Sequence, residues 1–266
     1  MCKECGCGLG GGGRQTGNHT HAHHHHDHDP AHNHADHEHS SRPWSLTLNR
    51  SLMEKNDRLA ARNRELFRAK GLLVLNVVSS PGSGKTTFIR ETAVRLGKTL
   101  RVGVIVGDLA TDNDAARLRT AGIPVVQITT GTVCHLDADM VFRAAARLAL
   151  DSLDVLVIEN VGNLVCPADY DLGEQLRVVL LSTTEGEDKP LKYPPLFHSA
   201  HVAIVTKSDL AAAAGFDREL ALTNLKRVSH HATRFELSAK TGQGMDAWLK
   251  FLTEQRARTN PAPAAR

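Results

Sequence analysis

No apolar run in the 266-residue sequence is long enough for a membrane span. The N-terminus, Met-Cys-Lys-Glu-Cys, lacks an apolar h-region, so no signal peptide is expected and the expected location is cytoplasmic. Excess charge is missing too. The net charge is +3 with histidines neutral, and no basic block stands out, which argues against a nucleic-acid partner. Cysteine is restricted to five residues. In a reducing compartment these are expected as thiols available to metals rather than as disulfides. The length allows one or two domains. Residues 1–50 are expected to be a disordered Cys/His-rich metal-binding tail. Residues 51–257 suit one α/β domain, and residues 258–266 a disordered C-terminal tail.

The most informative stretch is Ser79-Ser80-Pro81-Gly82-Ser83-Gly84-Lys85-Thr86-Thr87. It follows the apolar run Leu72 to Val78 and precedes a helical pattern from Phe88 to Leu96. Strand, glycine-rich turn, Lys-Thr and helix together make a P-loop context. Small residues let backbone N–H groups close on phosphate oxygens, and the helix N-terminus adds its dipole. Lys85 can reach the β- and γ-phosphates, and the Thr86 hydroxyl can hold Mg²⁺. Ser79 stands where the strictest pattern has Gly. A chance glycine-rich turn is the alternative.

After this turn, strands and helices alternate. Strands are predicted at Arg101–Val106, Val125–Ile128, Val155–Ile158, Val178–Leu181, Val202–Val205 and Phe235–Leu237. Helices are predicted at Asp114–Thr120, from Asp137 to about Leu150, at Phe216–His231 and at Met245–Thr253. The pattern predicts a P-loop NTPase fold with a mostly parallel sheet and helices on both faces. Ligands then lie at the carboxyl ends of the strands. Upstream, Ser51–Lys70 reads as an amphipathic helix with a Ser51/Glu54 capping box and Gly71 as terminator. Its stripe is Leu52, Met53, Leu59, Ala60, Leu66 and Phe67. Packing onto the domain or docking of a partner would each use such a stripe.

Thr206-Lys207-Ser208-Asp209 also follows a strand. The Asp209 carboxylate can accept from guanine's ring N–H and exocyclic amine, a donor pair that adenine lacks. Lys207 can cover the base. The usual motif is Asn-Lys-x-Asp, and here Thr206 replaces Asn. Ser238-Ala239-Lys240 resembles the second guanine-contacting element of GTPases, so GTP is favoured over ATP. Gly82, Ser83, Gly84, Lys85, Thr86, Thr87, Lys207, Asp209, Ser238, Ala239 and Lys240 are the candidate nucleotide contacts. Thr86, Asp108 and Glu159 are the candidate Mg²⁺ ligands, and Lys85, Asp108 and Glu159 the candidate catalytic groups. No Gln is obviously placed to orient water, so slow hydrolysis is expected unless a cation arrives in trans. Lys189 and Lys192 are candidates for that role, or are solvated loop lysines.

Three groups of residues suit metals. Cys2, Cys5 and Cys7 lie within one short segment before a glycine run, where three thiolates suit Zn²⁺ or Ni²⁺. A non-functional thiol tail and a thiol-redox tail are the alternatives. Eleven of the sixteen histidines fall between residues 19 and 39, mixed with acids. His19, His21, His23, His24, His25, His26, His28, His32, His34, His37 and His39 would give many weak, exchangeable sites. An expression tag would be less irregular. Cys134-His135 and Cys166 follow strand ends and can meet on one rim as a Zn²⁺ or Ni²⁺ site. Buried structural cysteines are the competing reading. His198, His201, His230 and His231 show no ligand spacing and read as ordinary polar residues.

Taken together, these residues resemble the HypB family, the GTPases that help insert nickel into nickel–iron hydrogenase. The resemblance runs through the Met-Cys-x-x-Cys-Gly-Cys start, the His-rich insert, residues 78–87, Cys134-His135-Leu136-Asp137, Glu159 to Pro167 and Thr184 to Pro194. It implies a dimerising GTPase fold of the SIMIBI type, with weak GTP hydrolysis linked to formation of a homodimer. It further implies a tight nickel site at Cys2, Cys5 and Cys7, and a Ni²⁺ or Zn²⁺ site at Cys134, His135 and Cys166 on the dimer interface. The implied partners are a HypA-type accessory protein and the hydrogenase large subunit as recipient. Other functions remain open: a nickel store with a vestigial G-domain, or a GTPase serving another nickel enzyme such as urease, like UreG.

Overall fold

The computed structural model describes residues 43–259, with side chains from Arg50 onward. Cys2, Cys5, Cys7, the histidines of residues 19–39 and residues 260–266 lie outside the described residues. The chain divides into two units, Met1–Ser51 and Leu52–Arg266. Only the start of one helix is described in the first, and the account below concerns the second. No helix among the described residues is long and apolar enough to cross a membrane.

Among the described residues, seven strands form one sheet: β1 (Leu73–Val78), β2 (Val102–Asp108), β3 (Val125–Thr129), β4 (Val155–Glu159), β5 (Leu176–Ser182), β6 (Val202–Thr206) and β7 (Thr233–Glu236). Their order is β3-β2-β4-β1-β5-β6-β7, and every pairing is parallel. The predicted strands are all present, most of them a residue or two longer. β1 is buried along its whole length, as expected of a central parallel strand covered on both faces. On one face, Leu75, Val104, Val157 and Ile204 pack with Phe88 and Leu96 of α2 (Lys85–Leu96), Leu118 of α3 (Asn113–Thr120) and Trp248. On the other, Val74, Ile105 and Ile158 pack with Leu136 and with Val141 of α4 (Ala138–Ala145). Val179 and Val205 pack there with Leu196 and Leu225.

Several helices differ from the sequence reading. The first helix, α1, runs Pro43–Ala69. Ser51 therefore sits inside it, and the Ser51/Glu54 pair does not mark its start. Asp137 caps α4 as predicted, accepting from the Met140 N–H, but α4 ends at Ala145 rather than near Leu150. Two short helices, α5 (Lys189–Lys192) and α6 (Pro194–His198), arise around prolines where no helix was predicted. The remaining helices are α7 (Arg218–Val228) and α8 (Met245–Thr259), the latter running past Thr253.

The α1 stripe serves the domain itself, although its composition differs from the prediction. Ala60 and Phe67 are fully buried, whereas Leu52 is exposed. Asn56 and Asn63 share the buried face. The Asn63 amide donates to the carbonyls of Ala138 and Leu172, and Asn56 donates to the carbonyl of Asp171. Asn56 also accepts from the Ala138 N–H. These bonds satisfy the loop backbone that α1 covers, which an apolar residue would leave unpaired. Gly173 makes the approach possible. Its φ is +90°, and a Cβ there would lie 2.7 Å from the Ala60 carbonyl oxygen and 2.9 Å from the Arg64 nitrogen. Gly173→Ala is expected to lower stability by about 2 kcal/mol or more, through a strained φ and a displaced helix. Urea denaturation of both proteins measures it; an unchanged midpoint contradicts this packing account.

Candidate functional site: a nucleotide cleft beside a thiol–imidazole triad

The turn after β1 gathers the phosphate-side groups. Gly82 and Gly84 take φ values of +76° and +92°, which open the turn around its backbone amides. Ser79, where the strict motif has Gly, is buried and joined to its neighbours: the Ser83 hydroxyl lies 2.5 Å from its Oγ, and Lys85 Nζ donates to it at 3.1 Å. Burial lowers the Lys85 pKa, and nearby carboxylates, Glu159 first, work against that shift. Thr86 donates to Glu159 Oε1 at 2.7 Å, while the buried Glu159 Oε2 has no protein partner. That hydroxyl and that open carboxylate oxygen are hard oxygen donors of the kind Mg²⁺ uses. Burial pushes the Glu159 pKa up to about 7, against the opposing influence of Lys85 and the Thr86 hydroxyl. Partial burial pushes Asp108 the same way, but hydrogen bonds from Thr111 and Ala110 outweigh it and hold its pKa below the usual value.

Gly82, Gly84, Lys85, Thr86, Asp108 and Glu159 line a cleft of about 440 Å³ that also includes Asp114, Arg117 and Asn160. A second cleft of about 370 Å³ adjoins it through Gly84 and Thr87. Ser83, Lys207, Asp209, Ser238, Ala239 and Lys240 line the second, so every described candidate for the base side reaches one place. Thr206 explains its own departure from the usual motif. Its hydroxyl donates to the Ser83 carbonyl at 3.0 Å, so it ties the base loop to the phosphate loop without an amide. Lys207 adopts φ +57° and donates from Nζ to the Gly82 carbonyl at 2.7 Å. Lys189 and Lys192 do not join either cleft. They lie in α5, where Lys192 pairs with Asp188 and the Lys189 ammonium sits 5.4 Å from the Tyr193 ring centroid.

Cys134, His135 and Cys166 do meet. Their ligand atoms lie within 4.8 Å of one another, and among the described residues they are the group of three with that convergence. The two Sγ atoms are 2.9 Å apart. His135 is half-buried and stacks on Tyr170 with centroids 3.9 Å apart. Its buried Nδ1 has no protein partner. Burial lowers its pKa, against Asp137 and Asp169, which favours the neutral imidazole a metal needs. Two thiols and one imidazole suit a borderline-soft ion.

Several residues of this site were given no role in the sequence reading. Asn160 accepts from the Leu136 N–H at 3.4 Å, beside His135, and donates to Asn76 on β1. Asn163 donates to the Cys134 carbonyl. Arg177 donates to the carbonyls of Ala168 and Tyr170, which fixes the segment after Cys166. The Glu159-Asn160 pair is therefore a junction: the first residue faces the phosphate cleft and the second holds the triad loop.

A family model described as the CobW/HypB/UreG nucleotide-binding domain matches residues 73–236. The chain is 52% identical over 205 residues to the hydrogenase maturation factor HypB of Escherichia coli, covering 77% of this chain and 71% of that protein. It is 42% identical over 209 residues to the hydrogenase/urease maturation factor HypB of Helicobacter pylori, covering 77% of this chain and 86% of that one. The crystal structure of HypB from Helicobacter pylori in complex with nickel superposes with a TM-score of 0.74. It is 41% identical and covers 80% of this chain and 99% of that one.

Two outcomes are expected from this geometry. Thr206→Ala removes a buried hydrogen bond and is expected to weaken GDP binding about tenfold, measured by calorimetry. Unchanged affinity would mean that Lys207 alone holds the two loops together. In nucleotide-free protein with divalent ions chelated, Glu159 titrates near 7, against 4.5 in an unfolded chain. Between those values the native state keeps a proton that the unfolded state has released. Stability therefore falls as pH rises through that window, by up to about 3 kcal/mol. Lys85, whose pKa burial lowers, acts in the opposite sense. Denaturation across the window should show the slope, and Glu159→Gln should flatten it.

Proposed function

The chain belongs to the HypB branch of the CobW/HypB/UreG family of P-loop GTPases, and on that premise we propose that it is a nickel metallochaperone in nickel–iron hydrogenase maturation. GTP binding and hydrolysis to GDP and phosphate would govern how the ion is held and released. The observation that carries this reading is the junction at Glu159-Asn160. A change at the phosphate cleft reaches the Cys134–Leu136 loop through consecutive residues of one strand end.

In this reading the P-loop amides and Lys85 hold the phosphates, and Asp209 and Ser238-Ala239-Lys240 hold guanine. Thr86 and Glu159, with Asp108 nearby, would hold Mg²⁺, which neutralises phosphate charge when bound. Arg117 lies at the mouth of the phosphate cleft, with its guanidinium 3.5 Å from Asp114. Slow turnover follows from the lack of a Gln in the phosphate cleft, and a partner subunit would complete the site. Cys134, His135 and Cys166 would carry Ni²⁺ or Zn²⁺ as cargo. They are half-buried, on the rim where a GTP-dependent homodimer would bring two triads together. Cys2, Cys5 and Cys7 would supply nickel from the tail, with the histidines of residues 19–39 as a weak reserve. A HypA-type protein and the hydrogenase large subunit would be the neighbours in delivery, in the cytoplasm.

The decisive experiment titrates Ni²⁺ and Zn²⁺ into the chain lacking residues 1–40, with GDP and then with a non-hydrolysable GTP analogue, while sedimentation reports mass. The expected result is dimerisation with the analogue and a shift in metal affinity of about tenfold. Cys166→Ala should remove the metal while leaving GDP binding intact. If mass and affinity both ignore the nucleotide, the switch is wrong, and storage in the tail becomes the better account.

A further inference from the structure

The fold gathers histidines that show no spacing in the sequence. His198 ends α6, His201 directly precedes β6, and His230 and His231 lie in the turn between α7 and β7. They sit at the amino-terminal edge of β6 and β7, whereas the nucleotide clefts lie at the carboxyl ends. The His198 and His231 rings have centroids 5.3 Å apart and cross at 81°. The His230 and His231 centroids are 5.4 Å apart. Two imidazoles bound to one tetrahedral ion at a metal–nitrogen distance of about 2.0–2.1 Å have centroids roughly 5 Å apart, which is the spacing found.

Hydrogen bonds decide which rings can ligate. Nδ1 of His198 lies 3.2 Å from the Val228 carbonyl oxygen, which can only accept. Nδ1 therefore carries the proton and Nε2 presents a lone pair. A carbonyl behind one nitrogen and a lone pair on the other is the usual setting of a metal-bound imidazole. His201 has the opposite arrangement. Its Nδ1 accepts from the Arg177 N–H at 3.0 Å, so its Nε2 is protonated and it is not a ligand. Val228 is also the last residue of α7, where the helix dipole favours a cation. Arg227, which lines the shallow groove beside His198, opposes a cation, but at an exposed position it is screened by salt.

We propose that His198 Nε2 and His231 form a second site for a divalent first-row transition ion, with solvent completing its coordination. The protein donors are imidazoles only, so the site suits Ni²⁺, Cu²⁺ or Zn²⁺ and holds them more weakly and exchangeably than the Cys134/His135/Cys166 triad. None of the hydrogen bonds described for these rings leads to the nucleotide clefts, so its occupancy is independent of GTP. It gives the globular domain a nickel landing point away from the delivery rim.

The test uses the full chain with Ni²⁺ as the probe. Ethoxyformylation of each histidine is read by mass spectrometry as Ni²⁺ is added past saturation of the tail. At ten times the dissociation constant roughly one molecule in ten stays unliganded, so modification of His198 and His231 should slow about tenfold, over the same range of Ni²⁺. In His231→Ala, a substitution at an exposed position, His198 should lose that protection, while His135→Ala should leave it intact. GDP and a GTP analogue should give the same curve. The proposal is overturned if His198 in the unaltered chain reacts equally with and without Ni²⁺, or if it stays protected in His231→Ala.

Discussion

A chain of buried polar groups crosses the middle of the sheet, and both ligand-bearing loops hang from it. Asn160 donates to Asn76 at 3.2 Å, Asn76 donates to Glu174 at 3.1 Å, and Arg177 donates to Glu174 at 3.0 Å. At one end, Asn160 holds the loop of Cys134 and His135. At the other, Arg177 holds the carbonyls of Ala168 and Tyr170, next to Cys166. Buried polar groups are costly when half satisfied and rigid when fully satisfied. The Arg177–Glu174 pair is 8% and 4% exposed, so removing either partner would strand a charge in the core. The triad is thus positioned by the interior of the protein, although its own members lie near the surface.

That arrangement explains how metal and nucleotide chemistry can share one rim without sharing ligands. The parallel register sets Val77 of β1 opposite Glu159 of β4. The P-loop and the Glu159-Asn160 junction therefore leave the sheet side by side. Glu159, the last residue of β4, accepts from Thr86, and Asn160, just past the strand, bonds Asn76 and the Leu136 N–H. Two adjacent residues thus tie one strand end to both loops.

Local patterns were legible in the sequence, and long-range polar partners were not. The strands announced themselves as apolar runs, and the P-loop as a glycine pattern between a strand and a helix. The triad followed from two loops leaving strand ends. By contrast, Asn160 and Asn76 look like ordinary polar residues until the fold joins positions 84 and 98 apart along the chain. The α1 stripe was read as apolar because Asn56 and Asn63 belong on a surface by composition. Their burial makes sense only once the loop carbonyls they satisfy are known. His198 and His231 are separated by α7, and no spacing rule would have paired them.

The grip of Thr206 and Lys207 on the carbonyls of Ser83 and Gly82 has one more effect. No peptide among the described residues is cis, and across a trans peptide the C=O and the next N–H point in opposite directions. Tying those two oxygens toward the base loop turns the N–H groups of Ser83 and Gly84 the other way. The two residues proposed to border the base thereby also aim two of the candidate anion donors. In the proposed placement of the nucleotide, the loop beside the base and the amides around the phosphates then move together.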